Sequence, residues 1–373
     1  MTIPLLLIII AFIASSVCGF FFIPGILNFC KEKGLYDIPN PRKVHKINNV
    51  PRLGGISFVP SMLLAFLIAL LVFDKMSDKA NLTISLWTGT FLISILLIYG
   101  IGIIDDLISL DAKIKFTIQI IAAGIIPFSG LYINNLYGLC GYDEIPFWIG
   151  YPLTIFIMVF ITNAVNLIDG IDGLCSGLAF LALGGFLISF MREGMYLYGI
   201  LIAGMMGVLL PYFYFNVFGD PAKNRKIFMG DSGSLSLGFI LAFLFVKYAM
   251  NNPMVMPFRM SGLLLPYTLL IVPVFDVARM ILVRTLHRQP IFSADKNHIH
   301  HKLMRSGLTQ HQALITILAL AFCYIIINIA LFFFVDITLI IVLDILIYIL
   351  FHQVVNRRLK AKGKEVFAIE QRD

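Results

Sequence analysis

The sequence predicts an all-α, polytopic integral membrane protein of about eleven transmembrane helices. Three observations carry that expectation. Of 373 residues, 59% are hydrophobic and only 13% charged, and the mean hydropathy is +0.92, well outside the range of soluble domains. The apolar residues fall into runs of roughly 17 to 25, long enough to cross a bilayer as helices. The basic residues fall almost entirely into alternate connections between those runs.

Taken in order, the predicted spans are Ile3–Leu27, Ile56–Phe73, Ile84–Ile104, Phe116–Ile133, Phe147–Ile168, Leu174–Met191, Tyr196–Phe215, Leu235–Met250, Ser261–Val283, Ala313–Val335 and Ile337–Gln353. The first has no charged n-region and no small-residue cleavage site, so it is expected to be a retained span rather than a signal peptide. The whole chain, 1–373, reads as a single transmembrane catalytic domain. Its working loops are 28–55, 105–115, 169–173, 216–234 and 284–312, followed by a basic tail, 354–373.

An odd number of spans puts the termini on opposite sides, and charge chooses the orientation. Of the 28 Lys and Arg, only Lys75, Lys79, Arg192, Lys247 and Arg259 lie on the side opposite the remainder. The positive-inside rule therefore places the N-terminus outside and the C-terminus in the cytoplasm. The net charge of +7 then reports topology and anionic headgroups, not nucleic acid. Cys18, Cys30, Cys140, Cys175 and Cys323 have no metal-ligand spacing and read as packing residues.

The polar residues that remain are concentrated in a few stretches. Asn163, Asn166, Asp169 and Asp172 recur every third position in N-A-V-N-L-I-D-G-I-D-G-L, forming a polar ridge where the fifth span ends. Carboxylates at that depth are costly and usually functional, although an Asx-rich helix end is the plainer explanation. Asp105-Asp106 closes the third span, where the pair could bind a divalent cation or contain a base. A polar helix C-terminus explains it equally well. Lys113, Lys115 and Gln119 follow, with anchoring at the membrane surface as the alternative to phosphate contact.

Met229-Gly-Asp-Ser-Gly-Ser-Leu235 sets Asp231 between glycines at a helix start, where Ser232 or Ser234 could cap the helix and the amino end would favour an anion. His298, His300 and His301 place three of seven histidines in four positions, with Arg284, Arg288 and Lys296 nearby. That charge suits phosphate better than zinc. Every one of these stretches falls on the predicted cytoplasmic side, as expected of one cleft.

Together these motifs resemble the polyprenyl-phosphate N-acetylhexosamine-1-phosphate transferases over nearly the whole chain. The resemblance rests on Pro39-Asn-Pro-Arg-Lys-Val-His45 with Pro51-Arg-Leu-Gly-Gly55, on Asp105-Asp106, on the N-x-x-N-x-x-D-G-I-D-G-L segment, on M-G-D-S-G-S-L and on H-I-H-H. The H-I-H-H form is similar to the branch that uses UDP-N-acetylglucosamine. The resemblance implies that polyprenyl phosphate attacks the β-phosphorus of a UDP-N-acetylhexosamine, releasing UMP and beginning lipid-linked cell-surface glycan synthesis.

It further implies that Asp231 holds Mg²⁺, or Mn²⁺. Asp105 or Asp106 would orient or deprotonate the lipid phosphate, and Asn166, Asp169 and Asp172 would shape the pocket. Lys115, Arg284, His298, His300 and His301 would meet the diphosphate, and Asn216 would lie near the sugar. The implied setting is the bacterial inner membrane, with the site facing the cytoplasm and a homodimer as the assembly to test.

The sequence departs from the family in three places. A third carboxylate in D-D-x-x-D spacing is missing, Asp111 lying two positions further on. Gln289-Pro290-Ile291-Phe292 replaces a more usual Ser-Pro-Phe, and Asn48-Asn49 is inserted before Pro51. Asp344, mid-span in the last helix, has no partner legible in the sequence. Two rival classes are an ion-coupled transporter, which would put its carboxylates midway through the spans, and an intramembrane prenyltransferase, which gives no reason for the histidines.

Overall fold

A computed structural model describes residues 3–36, 50–76, 86–290 and 297–367. The Pro39–His45 motif, Asn48-Asn49 and residues 291–296 lie outside the described residues. The elements are α1 (Ile3–Lys33), α2 (Phe58–Met76), α3 (Leu86–Ile108), α4 (Ala112–Ile125), β1 (Asn135–Leu139), β2 (Tyr142–Glu144), α5 (Phe147–Ile168), α6 (Leu174–Arg192), α7 (Tyr196–Val217), α8 (Gly230–Ala249), α9 (Leu264–Leu269), α10 (Ile271–Leu286), α11 (Ile299–Arg305), α12 (Gln310–Leu331) and α13 (Ile337–Ala361).

Among the described residues ten helices are long and apolar enough to cross a membrane, and they correspond to every predicted span but the ninth. That span divides into α9 and α10 at Leu270. The cause is Pro273, which has no N–H to offer the carbonyl of Leu269, so the ladder stops and restarts. Pro24, Pro152 and Pro211 lie inside α1, α5 and α7, where surrounding helices tolerate them.

Every residue of α8 from Ser232 to Ala249 is buried, so this helix is the axis of the bundle. It is flanked by α3 and α5, with α6 and α2 completing its cover, while α1 packs along α7 and α2. On the far side of α5, α10 meets α12, and α13 contacts α11 and α12. The outer helices keep large apolar side chains exposed, including Ile13, Val17 and Phe21 along α1, as lipid-facing helices do.

The short antiparallel pair β1–β2 is an addition to the all-α expectation. Cys140 and Gly141 both have positive φ at its tip, the backbone of a tight hairpin turn. Cys140 is consequently exposed, unlike a packing residue. Behind the hairpin, Tyr137 donates to the carbonyl of Ala249 (3.0 Å), closing the carboxyl end of α8.

Asp344 does have partners. The Tyr267 hydroxyl donates to its Oδ2 (3.1 Å), as does Asn328 Nδ2 (2.8 Å), which also donates to Thr268 Oγ1 (2.9 Å). These contacts tie α9, α12 and α13 together beside the helix break. The first part of the predicted basic tail continues the last helix, since α13 runs to Ala361 and Lys364 Nζ donates to the carbonyl of Arg305 (2.9 Å).

Candidate active site

The site begins at the amino end of α8, where the first N–H groups of a helix have no partner within it. The serines expected to cap this end do not. Ser234 Oγ instead donates back to the carbonyl of Gly230 (2.9 Å). The cap comes from α3, where Asp106 accepts from the N–H of Asp231 at Oδ1 (2.6 Å) and of Ser232 at Oδ2 (2.9 Å). Asp106 thus spends both oxygens on the backbone, while Asp105 is turned elsewhere.

Asp105 accepts from the N–H of Leu110 (2.7 Å) and from Lys115 Nζ (3.1 Å). The same ammonium donates to Asp231 Oδ2 (2.7 Å), so Lys115 on α4 joins carboxylates from α3 and α8. Asn166, near the end of α5, donates to Asp231 Oδ1 (3.1 Å) and to Ser234 Oγ (2.8 Å). Five predicted residues therefore form one network. Asp111, two positions beyond the usual third carboxylate, caps α4 by accepting from the N–H of Lys113 (3.0 Å).

The Pro51–Gly55 motif is explained by this end of α8. Gly54 and Gly55 donate to the carbonyls of Phe228 (3.0 Å) and Met229 (2.8 Å), and Phe228 donates to that of Pro51 (2.8 Å). A Cβ on Gly55 would lie 2.0 Å from the nitrogen of Gly233, so only glycine permits the approach.

Asp169 and Asp172 follow α5. Burial, then the charges of Asp231, Asp172 and Asp106, push the Asp169 carboxyl up to about 7. Asp172 is instead compensated, because Lys226 donates to it at 2.7 Å and both side chains are largely buried. Lys226 was not singled out in the sequence, where it is one of several cations in a loop. Asn216 is a brace behind the turn: it accepts from the N–H of Gly173 (2.7 Å) and donates to the carbonyl of Ile227 (2.9 Å).

The histidines form the opposite wall. His298 Nδ1 lies 2.8 Å from Asp276 Oδ2, and Asp276 Oδ1 accepts from the N–H of Ile299 (3.0 Å) and from Arg279 (2.8 Å). Arg279 also donates to the carbonyl of Asn297 (2.6 Å). Asp276, fully buried on α10, is thus the anchor of the histidine segment, and its only signal in the sequence is a carboxylate within a span. On α11, Lys302 donates to Asn356 of α13 (2.6 Å), and burial together with Arg279 and Arg305 pushes its ammonium down to about 8.

His300 packs directly on the Asp-rich turn: a Cβ on Gly170 would lie 2.1 Å from its Nε2. Burial, with His301 and His298 adding to it, holds His300 well below the usual imidazole range, so the ring is neutral at pH 7. Neither ring nitrogen has a hydrogen-bond partner among the described residues. The His301 ring is 4.2 Å away.

Between these walls lies a cleft of about 550 Å³. One end is polar, with Lys115, Asn166, Arg284, His298, His300 and His301; the other is apolar, with Phe156, Val159 and Phe160 earlier on α5. Asn163, which donates to Gln119, lines the passage between the two ends. Phe156 is 63% exposed on the outside of α5, so the apolar end opens toward the lipid-facing surface. A cleft of this make-up has room for a ligand with an anionic head and a hydrocarbon tail.

Residues 87–249, which include α3 through α8, match Glycosyl transferase family 4. A probable undecaprenyl-phosphate N-acetylglucosaminyl 1-phosphate transferase of Bacillus subtilis (strain 168) is 32% identical over 326 residues, covering 85% of this chain and 83% of that protein. The chain belongs to this family of membrane glycosyl-1-phosphate transferases. Undecaprenyl-phosphate alpha-N-acetylglucosaminyl 1-phosphate transferases of Escherichia coli (strain K12) and Yersinia pestis are 31% and 30% identical, covering 77% and 76% of the chain and 74% and 73% of their own lengths. The transferase is thus an enzyme whose matched core is the α3–α8 bundle around Asp231.

Proposed function

We propose that this transferase moves N-acetylglucosamine 1-phosphate from UDP-N-acetylglucosamine to undecaprenyl phosphate, or a similar polyprenyl phosphate, releasing UMP. The observation that carries the reading is the cleft, in which cations and neutral imidazole stand at one end, with the Asp105 and Asp231 carboxylates held directly behind by Lys115, and aromatic side chains at the other. The names of the relatives supply the lipid and the sugar class.

In this reading the prenyl chain lies along Phe156 and Phe160, and its phosphate reaches Lys115 and Asp105. Asp105 suits an orienting or proton-accepting role better than Asp106, whose oxygens already hold α8. The lipid phosphate oxygen attacks the β-phosphorus of the donor, and the bond from that phosphorus to the bridging oxygen of UMP breaks. Arg284, His298, His300 and His301 bind the diphosphate, with His300 supplying one neutral N–H and one acceptor.

Mg²⁺ or Mn²⁺ fits the residues present. Asp231 and Asp105 already converge on one cation, the Lys115 ammonium, and the oxygen-only donor set around it suits a hard ion that completes its shell with water and phosphate. Asp231 would hold the ion, with Asp169 near by. When bound, it offsets charge on the phosphate oxygens, the main need of phosphoryl transfer. The carboxylates lie at the ends of α3 and α8, unlike the midway site expected of an ion-coupled transporter.

The proposed setting is a bacterial inner membrane with this cleft on the cytoplasmic side, in keeping with the positive-inside rule. A membrane-impermeant maleimide should then label native Cys140, on the exposed hairpin, in intact cells; labelling only after lysis would reverse the orientation. The reaction is tested by incubating the purified protein with undecaprenyl phosphate, Mg²⁺ and a panel of UDP-sugars. UMP release with UDP-N-acetylglucosamine alone among them is expected; no UMP with any donor would refute the reading.

A further inference from the structure

A second cleft, of about 380 Å³, shares no lining residue with the first. It lies between the carboxyl ends of α1 and α7 and the loop that precedes α8, and presents Lys31, Lys223, Arg225, Asn28 and Asn224. No acidic residue lines it. Lys223 is 3.9 Å from Asp220, but both side chains are largely exposed and that pair is weak. The side chains of Lys31 and Arg225 have no ion-pair or hydrogen-bond partner among the described residues.

The back of the cleft is Pro24, Leu27 and Phe215. Beside it, Phe20, Phe21, Tyr214 and Phe218 form an exposed aromatic border, with Tyr214 6.3 Å from Phe20 and from Phe218. Because Lys31 is in the last turn of α1 and Val217 ends α7, the cations sit where these two spans leave the bilayer. Basic pockets between spans at that level take lipid headgroups. We propose that this cleft binds the phosphate of an anionic phospholipid, with the acyl chains running along the aromatic border.

The cleft is joined to the catalytic end through the chain itself. Arg225 is followed by Lys226, which holds Asp172, and Asn224 Nδ2 donates to the carbonyl of Leu27 on α1 (3.3 Å). A headgroup clamped by Lys31 and Arg225 therefore steadies the loop that carries the Lys226–Asp172 pair. The lipid acts from outside the catalytic cleft.

The test uses the full-length protein in neutral detergent, titrated with phosphatidylglycerol, phosphatidylcholine or inorganic phosphate, with thermal shift and native mass spectrometry as binding readouts. Phosphatidylglycerol should be retained and raise Tm, and the other two should not. The double variant Lys31→Gln/Arg225→Gln should weaken phosphatidylglycerol binding about 25-fold, at about five-fold per cation near an anionic surface. Charge-preserving Lys31→Arg/Arg225→Lys should keep it, which controls for misfolding. Hydrogen exchange in 219–227 should slow when phosphatidylglycerol binds. Equal response to the two lipids, or undiminished binding by the double variant, would remove the site. A full shift with inorganic phosphate would make the ligand a soluble anion instead, and unchanged exchange in 219–227 would remove the link to Asp172.

Discussion

The two walls of the catalytic cleft are built on different principles. On the carboxylate wall, formed by α3, α5 and α8, charged groups hold one another directly: Lys115 joins Asp105 to Asp231, and Asp106 holds the helix that carries Asp231. On the histidine wall, formed by α10 and α11, the rings that face the cleft are held by a separate buried pair, Asp276 and Arg279, through His298 and the carbonyl of Asn297. The first wall lies inside the segment matched by the family and the second lies beyond it. A wall of mutually paired charges should therefore lose chemistry when one member changes, whereas a wall whose rings hang on a separate buried pair should lose affinity.

The largest expected effect is on the first wall. Asp231→Asn should lower turnover at least about 100-fold, the scale of removing one group that stabilises transition-state charge. Steady-state UMP release at ordinary Mg²⁺ checks it, and near-normal rates would break the contrast.

Next come the adjacent carboxylates. Asp106→Asn would turn an amide N–H₂ toward an N–H at the start of α8, so it should cost about 1 to 3 kcal/mol of stability as well as activity. Asp105→Asn should lower turnover with a smaller change in Tm. Thermal unfolding and kinetics of the two variants, measured side by side, separate the roles, and reversed Tm effects would show that Asp106 is not the cap.

On the histidine wall, His300→Ala should weaken donor binding by about 1.5 to 3 kcal/mol if a hydrogen bond to a charged phosphate is lost, with Tm little changed. Asp276→Asn should reduce donor affinity and Tm together, because it leaves Arg279 buried without its carboxylate. Calorimetric titration with UDP-N-acetylglucosamine provides the reading. Unaltered affinity in both variants would show that this wall does not hold the donor.

The smallest effect is a pH dependence. With its folded pKa raised to about 7, Asp169 binds its proton more tightly in the folded protein than in the unfolded chain. Its contribution is therefore full below the unfolded pKa near 4 and is lost as pH rises toward and through 7. In chelator, Tm should fall across that window, and Asp169→Asn should flatten the fall. An unchanged slope in the variant would assign the pH dependence to another group.

The membrane class, ten of the spans and the charged residues of the carboxylate wall are legible in the amino-acid order alone. These follow from hydropathy, length and residue type, which are local properties that a single chain displays directly. The amino-acid order also marked Gly55 and Gly170 as parts of motifs without saying what came close to them. Only the tertiary structure showed that Gly233 and His300 fill those spaces. It likewise decided that Asp106 caps a helix more than 120 residues away, that Lys226 pairs with Asp172, and that Asp276 and Asp344 find partners inside the bundle. Such pairings depend on which helices become neighbours, and packing sets that across a long stretch of chain. An apolar span tells where a helix lies in the bilayer, but not which face of it will meet a buried charge.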